Sequence, residues 1–118
     1  MSYRSNEHKK KRKWSEAEEK ILQSFQMMRI DMGCKRVDGE VRYRYVNVYG
    51  DDQLGYIAYY ESYFAPGLDG RKEPEFNEVL FATKIHRTTG DALKDAIPDA
   101  ARETEAWLKD EDYLDKGE

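Results

Sequence analysis

The chain has 118 residues, of which 37% are charged, 39% hydrophobic and 13% aromatic. That size suits one domain around one core, and the aromatic share argues for a real core despite a polar mean hydropathy of −0.98. No stretch reaches the apolar length of a membrane span and no apolar segment follows the basic N-terminus, so neither a spanning segment nor a secretory signal is expected and a cytoplasmic protein is. Cys34 is the only cysteine, which excludes an intramolecular disulfide and a cysteine-built metal site.

The net charge of −4 conceals an asymmetry. Residues 1–13 carry Arg4, Lys9, Lys10, Lys11, Arg12 and Lys13 against Glu7, a net +5, whereas residues 91–118 carry ten acids against four bases, a net −6. A basic block of this kind is suited to phosphate or to an acidic protein surface, and an acidic end is repelled by phosphate. The same block would also serve as a solvated tail that aids solubility.

In chain order, residues 1–13 have no hydrophobic period and read as a disordered basic arm, with a single domain over 14–118. Ser15 is suited to cap a helix and Glu18 to complete a capping box, with Glu16 and Glu19 at the positive end of the dipole. Ala17, Ile21, Phe25, Met28 and Met32 then fall at near-helical spacing, which predicts a helix over about 15–32 ended by Gly33. Asp38-Gly39 between Val37 and Val41 is a two-residue hairpin signal, pairing a short strand near 35–37 with a longer one over 40–49. Along that strand Val41, Tyr43, Tyr45 and Tyr49 alternate with Arg42, Arg44, Val46 and Val48, giving two unlike faces.

After a turn at Gly50-Asp51-Asp52, residues 54–64 read as a strand from their Tyr and Ile content, although Leu54, Ile57, Ala58 and Phe64 also fit a helix. Turn chemistry in Pro66-Gly67, Asp69-Gly70 and Pro74 marks 65–75 as a loop. Residues 76–86 read as a further buried strand. Thr89-Gly90-Asp91 caps a short helix over 91–97, and Pro98 breaks it or opens a second helix that carries Ala101, Thr104, Trp107 and Leu108 to about Leu114. The fold expected is α+β, an antiparallel sheet of three or four strands with the N-terminal helix and one or two C-terminal helices packed on one face.

Several patterns bear on chemistry. Lys13-Trp14-Ser15 with Glu18, Glu19 and Leu22 is similar to the opening of a Myb-like DNA-binding domain, but the likeness stops where the strands begin, and a capping box accounts for the same residues. The helix–strands–helix order resembles a double-stranded RNA-binding domain, yet Asp91, Asp95 and Asp99 stand where that family carries phosphate-binding lysines. The order combined with an acidic surface also resembles several small phage anti-CRISPR proteins, a likeness of architecture and charge. Asp38-Gly39-Glu40-Val41-Arg42 is a fragment of a metal-nuclease pattern, but the turn explains Asp38. Cys34 and His86 are the only candidate nucleophile and base, and no orienting group accompanies them. There is no glycine-rich phosphate loop and no metal-ligand spacing, so no cofactor and no enzymatic activity are expected.

The expectation is a binding protein. Its nucleic-acid-contacting residues would be Arg4, Lys9, Lys10, Lys11, Arg12 and Lys13 of the arm, with Lys35, Arg36, Arg42 and Arg44 as a basic platform, unless the strand arginines pair with Glu61 or Glu78. Tyr43, Tyr45, Tyr56, Tyr59 and Tyr60 would meet a partner or a second copy in a homodimer. The alternative is a phage-like inhibitor that docks the acidic residues Asp110, Glu111, Asp112 and Asp115 onto a nucleic-acid enzyme as a phosphate mimic. The partner in either case is nucleic acid or a protein complex that handles it, and no membrane.

Overall fold

The structure is a computed structural model that describes residues 13–37, 40–64 and 76–110. Helix α1 (Glu16–Leu22) is followed by strands β1 (Gln26–Val37), β2 (Glu40–Asp51), β3 (Gly55–Phe64) and β4 (Phe76–Ala82), and helix α2 (Thr89–Lys109) ends the described chain. The four strands form one antiparallel sheet in sequence order, β1-β2-β3-β4. This is the α+β architecture expected, with the strand at 55–64 in place. The Asp38-Gly39 turn and the 65–75 loop lie outside the described residues, but Val37 and Glu40 are cross-strand partners on either side of the turn.

The last strand is shorter than the expected 76–86, ending at Ala82 with Leu80 and Ile85 exposed, and three further boundaries differ from the sequence expectation. The first helix stops at Leu22, and the residues that were to form its second half are β1. The capping box at Ser15 and Glu18 is present as expected. After Leu22, however, the Ser24 hydroxyl and amide both bond the Ile21 carbonyl, and the Phe25 carbonyl accepts from the Gly50 amide, so the chain is turned into the sheet. Met28 and Met32 are four apart, a spacing that fits two strand periods as well as one helical turn. Ile30 between them packs on the same core, and that settles period two. Gly33 does not end a helix. It sits at a β-bulge beyond Asp31, where a Cβ would lie 3.1 Å from Thr104 Cγ2.

The second difference is at the C-terminal helix, which runs unbroken from Thr89 to Lys109 with Pro98 inside it. Its cap is Thr88, whose hydroxyl accepts from the Asp91 amide at 3.0 Å. Pro98 is on the exposed side, where the backbone bond it cannot make is replaced by water. The third is that this helix ends at Lys109 with Asp110 as its cap, not near Leu114. Its buried stripe is Ala92, Ala96, Ala100, Thr104 and Trp107, while Ala101 and Leu108 are exposed.

The core lies between α2 and one face of the sheet. Val46 and Val48 of β2 and Tyr56, Ala58 and Tyr60 of β3 meet the three alanines, with Met28, Ile30, Met32 and Phe81 around them. Alanine at every fourth position lets the helix come close to the strands, and the buried Tyr60 ring fills the space toward Phe81, 5.2 Å away between centroids. Tyr60 OH meets Thr104 Oγ1 at 2.6 Å, so its polar end is satisfied inside the core.

The helices do not share a face, which corrects the expected arrangement. Trp14, just before α1, contacts Tyr59, which alternates with the core residues Ala58 and Tyr60 and so points the other way. α1 touches β2 and β3 there and buries Ile21. It is a short helix, and it reaches the end of the sheet at Tyr49 and Tyr59.

Candidate functional site

The sheet face opposite α2 holds most of the tyrosines that the sequence drew attention to. Cross-strand partners share a face, so the rows can be read from the register. Gln26 pairs with Tyr49 and Arg29 with Asn47, then Asp31 with Tyr45 and Cys34 with Tyr43. On the other side of β2, Asn47 pairs with Tyr59, Tyr45 with Glu61 and Tyr43 with Tyr63.

Three of these rings form a cluster at the end away from α1. Tyr43 and Tyr45 are stacked nearly parallel with centroids 5.8 Å apart, and Tyr63 leans on both at 6.1 and 6.0 Å. All three are only partly buried. A second pair, Tyr49 on Tyr59 at 5.9 Å, lies toward α1 and is closed by Trp14 at 6.0 Å from Tyr59.

Between the two groups runs a polar network. The Arg29 guanidinium lies 4.5 Å from the Tyr45 centroid, donates from Nε to Asn47 Oδ1 at 2.9 Å and reaches Glu61 at 3.5 Å. Asn47 is fully buried and also accepts from Gln26 at 3.1 Å. Glu61 is 2% exposed and takes a further bond from Asn77 at 3.4 Å. Burial pushes the Tyr45 hydroxyl upward from its usual pKa against the pull of Arg29. Tyr59 is pushed further in the same direction, by burial first and then by the nearby Glu61 charge and Tyr49.

The sequence-derived site residues fall in three places. Arg4, Lys9, Lys10, Lys11 and Arg12, with Glu111, Asp112 and Asp115, lie outside the described residues; Lys13 is exposed beside Trp14. Tyr43, Tyr45 and Tyr59 are on the open face. Tyr56 and Tyr60 are not; they are core residues under α2, which corrects the expectation that the five tyrosines line one surface. The Tyr56 hydroxyl binds Asp52 at 2.7 Å, and that bond to a carboxylate raises its pKa.

The four cations do not make one platform either. Lys35, Arg42 and Arg44 lie on the α2 side, and Arg36, which pairs with Val41, is on the other. Lys35 is buried, its ammonium bonded to the Trp107 carbonyl and, at 3.0 Å, to the Asp110 carbonyl. Arg44 stacks 4.2 Å from the Trp107 ring and donates to Tyr60 OH at 3.0 Å. Arg42 lies 5.5 Å from the Phe64 ring. These cations gather at the carbonyl end of α2, where the helix dipole favours positive charge. The expected pairing of strand arginines with Glu61 occurs from β1 instead, through Arg29. Arg29 and Asn47 are not legible as site residues because their meeting depends on the 26–37 segment being a strand, whereas Tyr63 meets Tyr43 within the expected pairing of β2 with β3 and could have been found from that register.

Cys34 and His86 stand at opposite ends of the sheet. Cys34 is beside Tyr43, while His86 bridges Tyr56 and binds Asp95 through Nε2 at 2.8 Å. Among the described residues no group of three or more His, Cys, Asp or Glu is placed to hold a metal ion, and no helix is long and apolar enough to cross a membrane. Comparison with known protein families, curated proteins and solved structures finds no match.

Proposed function

We propose that this protein is a non-enzymatic binder of single-stranded nucleic acid, which meets its ligand with the tyrosine face of the sheet and gathers it electrostatically with the basic N-terminal segment. The observation that carries this is the partly exposed Tyr43–Tyr45–Tyr63 cluster beside Arg29, on a sheet face opposite the core. Aromatic side chains standing on a sheet present π faces on which unpaired bases stack, at about 1–3 kcal/mol per base. Residues 1–13, with their net +5, join the fold at Trp14, which packs on that same face.

The inhibitor alternative rests on acids of which Glu111, Asp112 and Asp115 lie outside the described residues, and the α2 acids that precede them add little to it. The acids of α2 are interspersed with Lys94, Arg102 and Lys109, and Arg102 pairs with Asp99 while Lys109 pairs with Glu105. His86 is bonded to Asp95. A surface of paired charges is a poor copy of a phosphate backbone.

The test is fluorescence anisotropy with labelled oligo(dT), oligo(U) and a DNA duplex across a salt series. Single strands should bind more tightly than the duplex, and deleting residues 2–13 should weaken binding and flatten its salt dependence. If no nucleic acid binds, and a protein is instead captured by the intact chain and lost on charge reversal at Asp110, Glu111, Asp112 and Asp115, the inhibitor function replaces this one.

A further inference from the structure

A closer assignment within the tyrosine face rests on the nucleic-acid function proposed above and concerns where a base is held. The planar groups on this face stand in a row along β2. Arg29 is fixed to Asn47, the neighbour of Tyr45 on the side away from Tyr43, and covers the Tyr45 ring from there. Tyr43 covers Tyr45 from the other side. Tyr45 is therefore enclosed on both faces and works as a spacer.

Tyr43 is differently placed. One of its faces is taken by Tyr45, and Tyr63 leans on its flank at an interplanar angle of 42°. Among the described residues no ring or cation stacks on its outer face. We propose that the outer face of Tyr43 is the seat of one unpaired nucleobase, which extends the row Arg29–Tyr45–Tyr43 by one further plane.

The charge of the face points to a base and not a phosphate at this position. Arg29 and Arg36 are outnumbered by Asp31, Asp51 and Glu61, which the register places on the same side, so the described strands give this face no net positive charge to draw an anion. An aromatic plane backed by a second ring and a guanidinium accepts any base, because every base has a π face. The base has to be unpaired, since in a duplex both of its faces are already stacked. Attraction for the phosphates would come from the cationic segment that joins this face at Trp14.

Cys34 supplies a reporter. It is exposed, and it is the direct cross-strand partner of Tyr43, so it stands beside the ring on which the base would sit. The experiment measures maleimide labelling of Cys34 in the full chain, free and with enough oligo(dT) to saturate binding by anisotropy. Labelling should slow about five- to hundredfold in the complex, the factor to which one stacked base corresponds, while an equal concentration of blunt duplex should leave the rate unchanged. Tyr43→Leu, which keeps apolar bulk but has no π face, should weaken oligo(dT) binding about five- to hundredfold, and Tyr43→Phe should keep it near wild type. Unchanged labelling in a saturated complex, or full affinity in Tyr43→Leu, overturns this assignment and leaves the nucleic-acid function standing. Absence of any oligonucleotide binding overturns both.

Discussion

The two faces of the sheet are built from the same residue types and use them in opposite ways. On the α2 face tyrosine is a core residue: Tyr60 has no exposed surface, and its hydroxyl is consumed by Thr104 and Arg44. On the other face Tyr43, Tyr45 and Tyr63 pack mainly on one another and remain partly in water. The cations divide similarly. Lys35 and Arg44 are spent on the end of α2, whereas Arg29 lies over an aromatic ring on the open face. Residue type alone therefore does not mark the surface of this protein; the helix that covers one face decides which tyrosines are structural.

The contrast is broken or sharpened most directly by truncating one tyrosine from each face. Tyr60→Ala removes a fully buried ring and orphans the Thr104 hydroxyl, and it should cost about 3–5 kcal/mol in urea unfolding. Tyr43→Ala, on the open face, should cost about 1 kcal/mol. Equal losses would mean that the open face is as much a core as the covered one, and the division drawn here would fall.

A smaller effect is expected where the cations close the helix. Lys35→Met keeps the apolar stem against Trp107 but removes the ammonium that binds the Trp107 and Asp110 carbonyls. Charged hydrogen bonds of this kind are each worth about 1.5–3 kcal/mol, and the apolar replacement recovers part of that. A loss of about 1–2 kcal/mol should appear in the same unfolding assay. A variant as stable as wild type would show that Lys35 is not committed to the fold, which would return it to the set of candidate ligand contacts.

How much of this was legible follows from which signals are local. The Ser15-x-x-Glu18 box, the Tyr-rich strand at 55–64 and the alternation of Tyr43 and Tyr45 with Val46 and Val48 are set by neighbours in sequence, and all are present. The 26–37 strand is not legible in its own residues, because Met28 and Met32 satisfy both periods and a strong helix start stands just upstream. Its choice of structure is made by β2, whose long register partners it. Pro98 misled for a similar reason, since local chemistry argues for a break while the alanine stripe on both sides of it holds one helix to the sheet. The open-face site inherited the first error: with 26–32 helical, Arg29 has no path to Tyr45 or Glu61.

The α1 cap offers a milder perturbation on the open-face side. Ser15→Ala removes the hydroxyl that accepts from the Glu18 amide at 3.1 Å and leaves the return bond, donated by the residue 15 amide to the Glu18 carboxylate, without its counterpart. The expected cost is about 1 kcal/mol, read as a lowered melting temperature by circular dichroism. It should leave oligonucleotide binding nearly unchanged, because α1 contacts the Tyr49–Tyr59 end and not the Tyr43 end. Loss of binding in this variant would place the ligand under α1 instead.

The gentlest test uses pH to separate the two ends of the open face. Tyr59 has its pKa raised in the folded protein, by burial first and then by the Glu61 charge and its contact with Tyr49. The neutral phenol is the form that folding favours, so its contribution to stability is complete below the unfolded value of about 10 and is lost as pH rises from there toward the higher folded value. Tyr45 and Tyr56 are shifted the same way and add to the decline. The urea midpoint of the wild type should therefore be level up to about pH 9 and fall above about pH 10, and Tyr59→Phe, which has no proton to lose, should fall less steeply. If Tyr59→Phe declines as steeply as the wild type, the desolvated end of the face is not at Tyr59, and the boundary between its closed and open parts has to be redrawn.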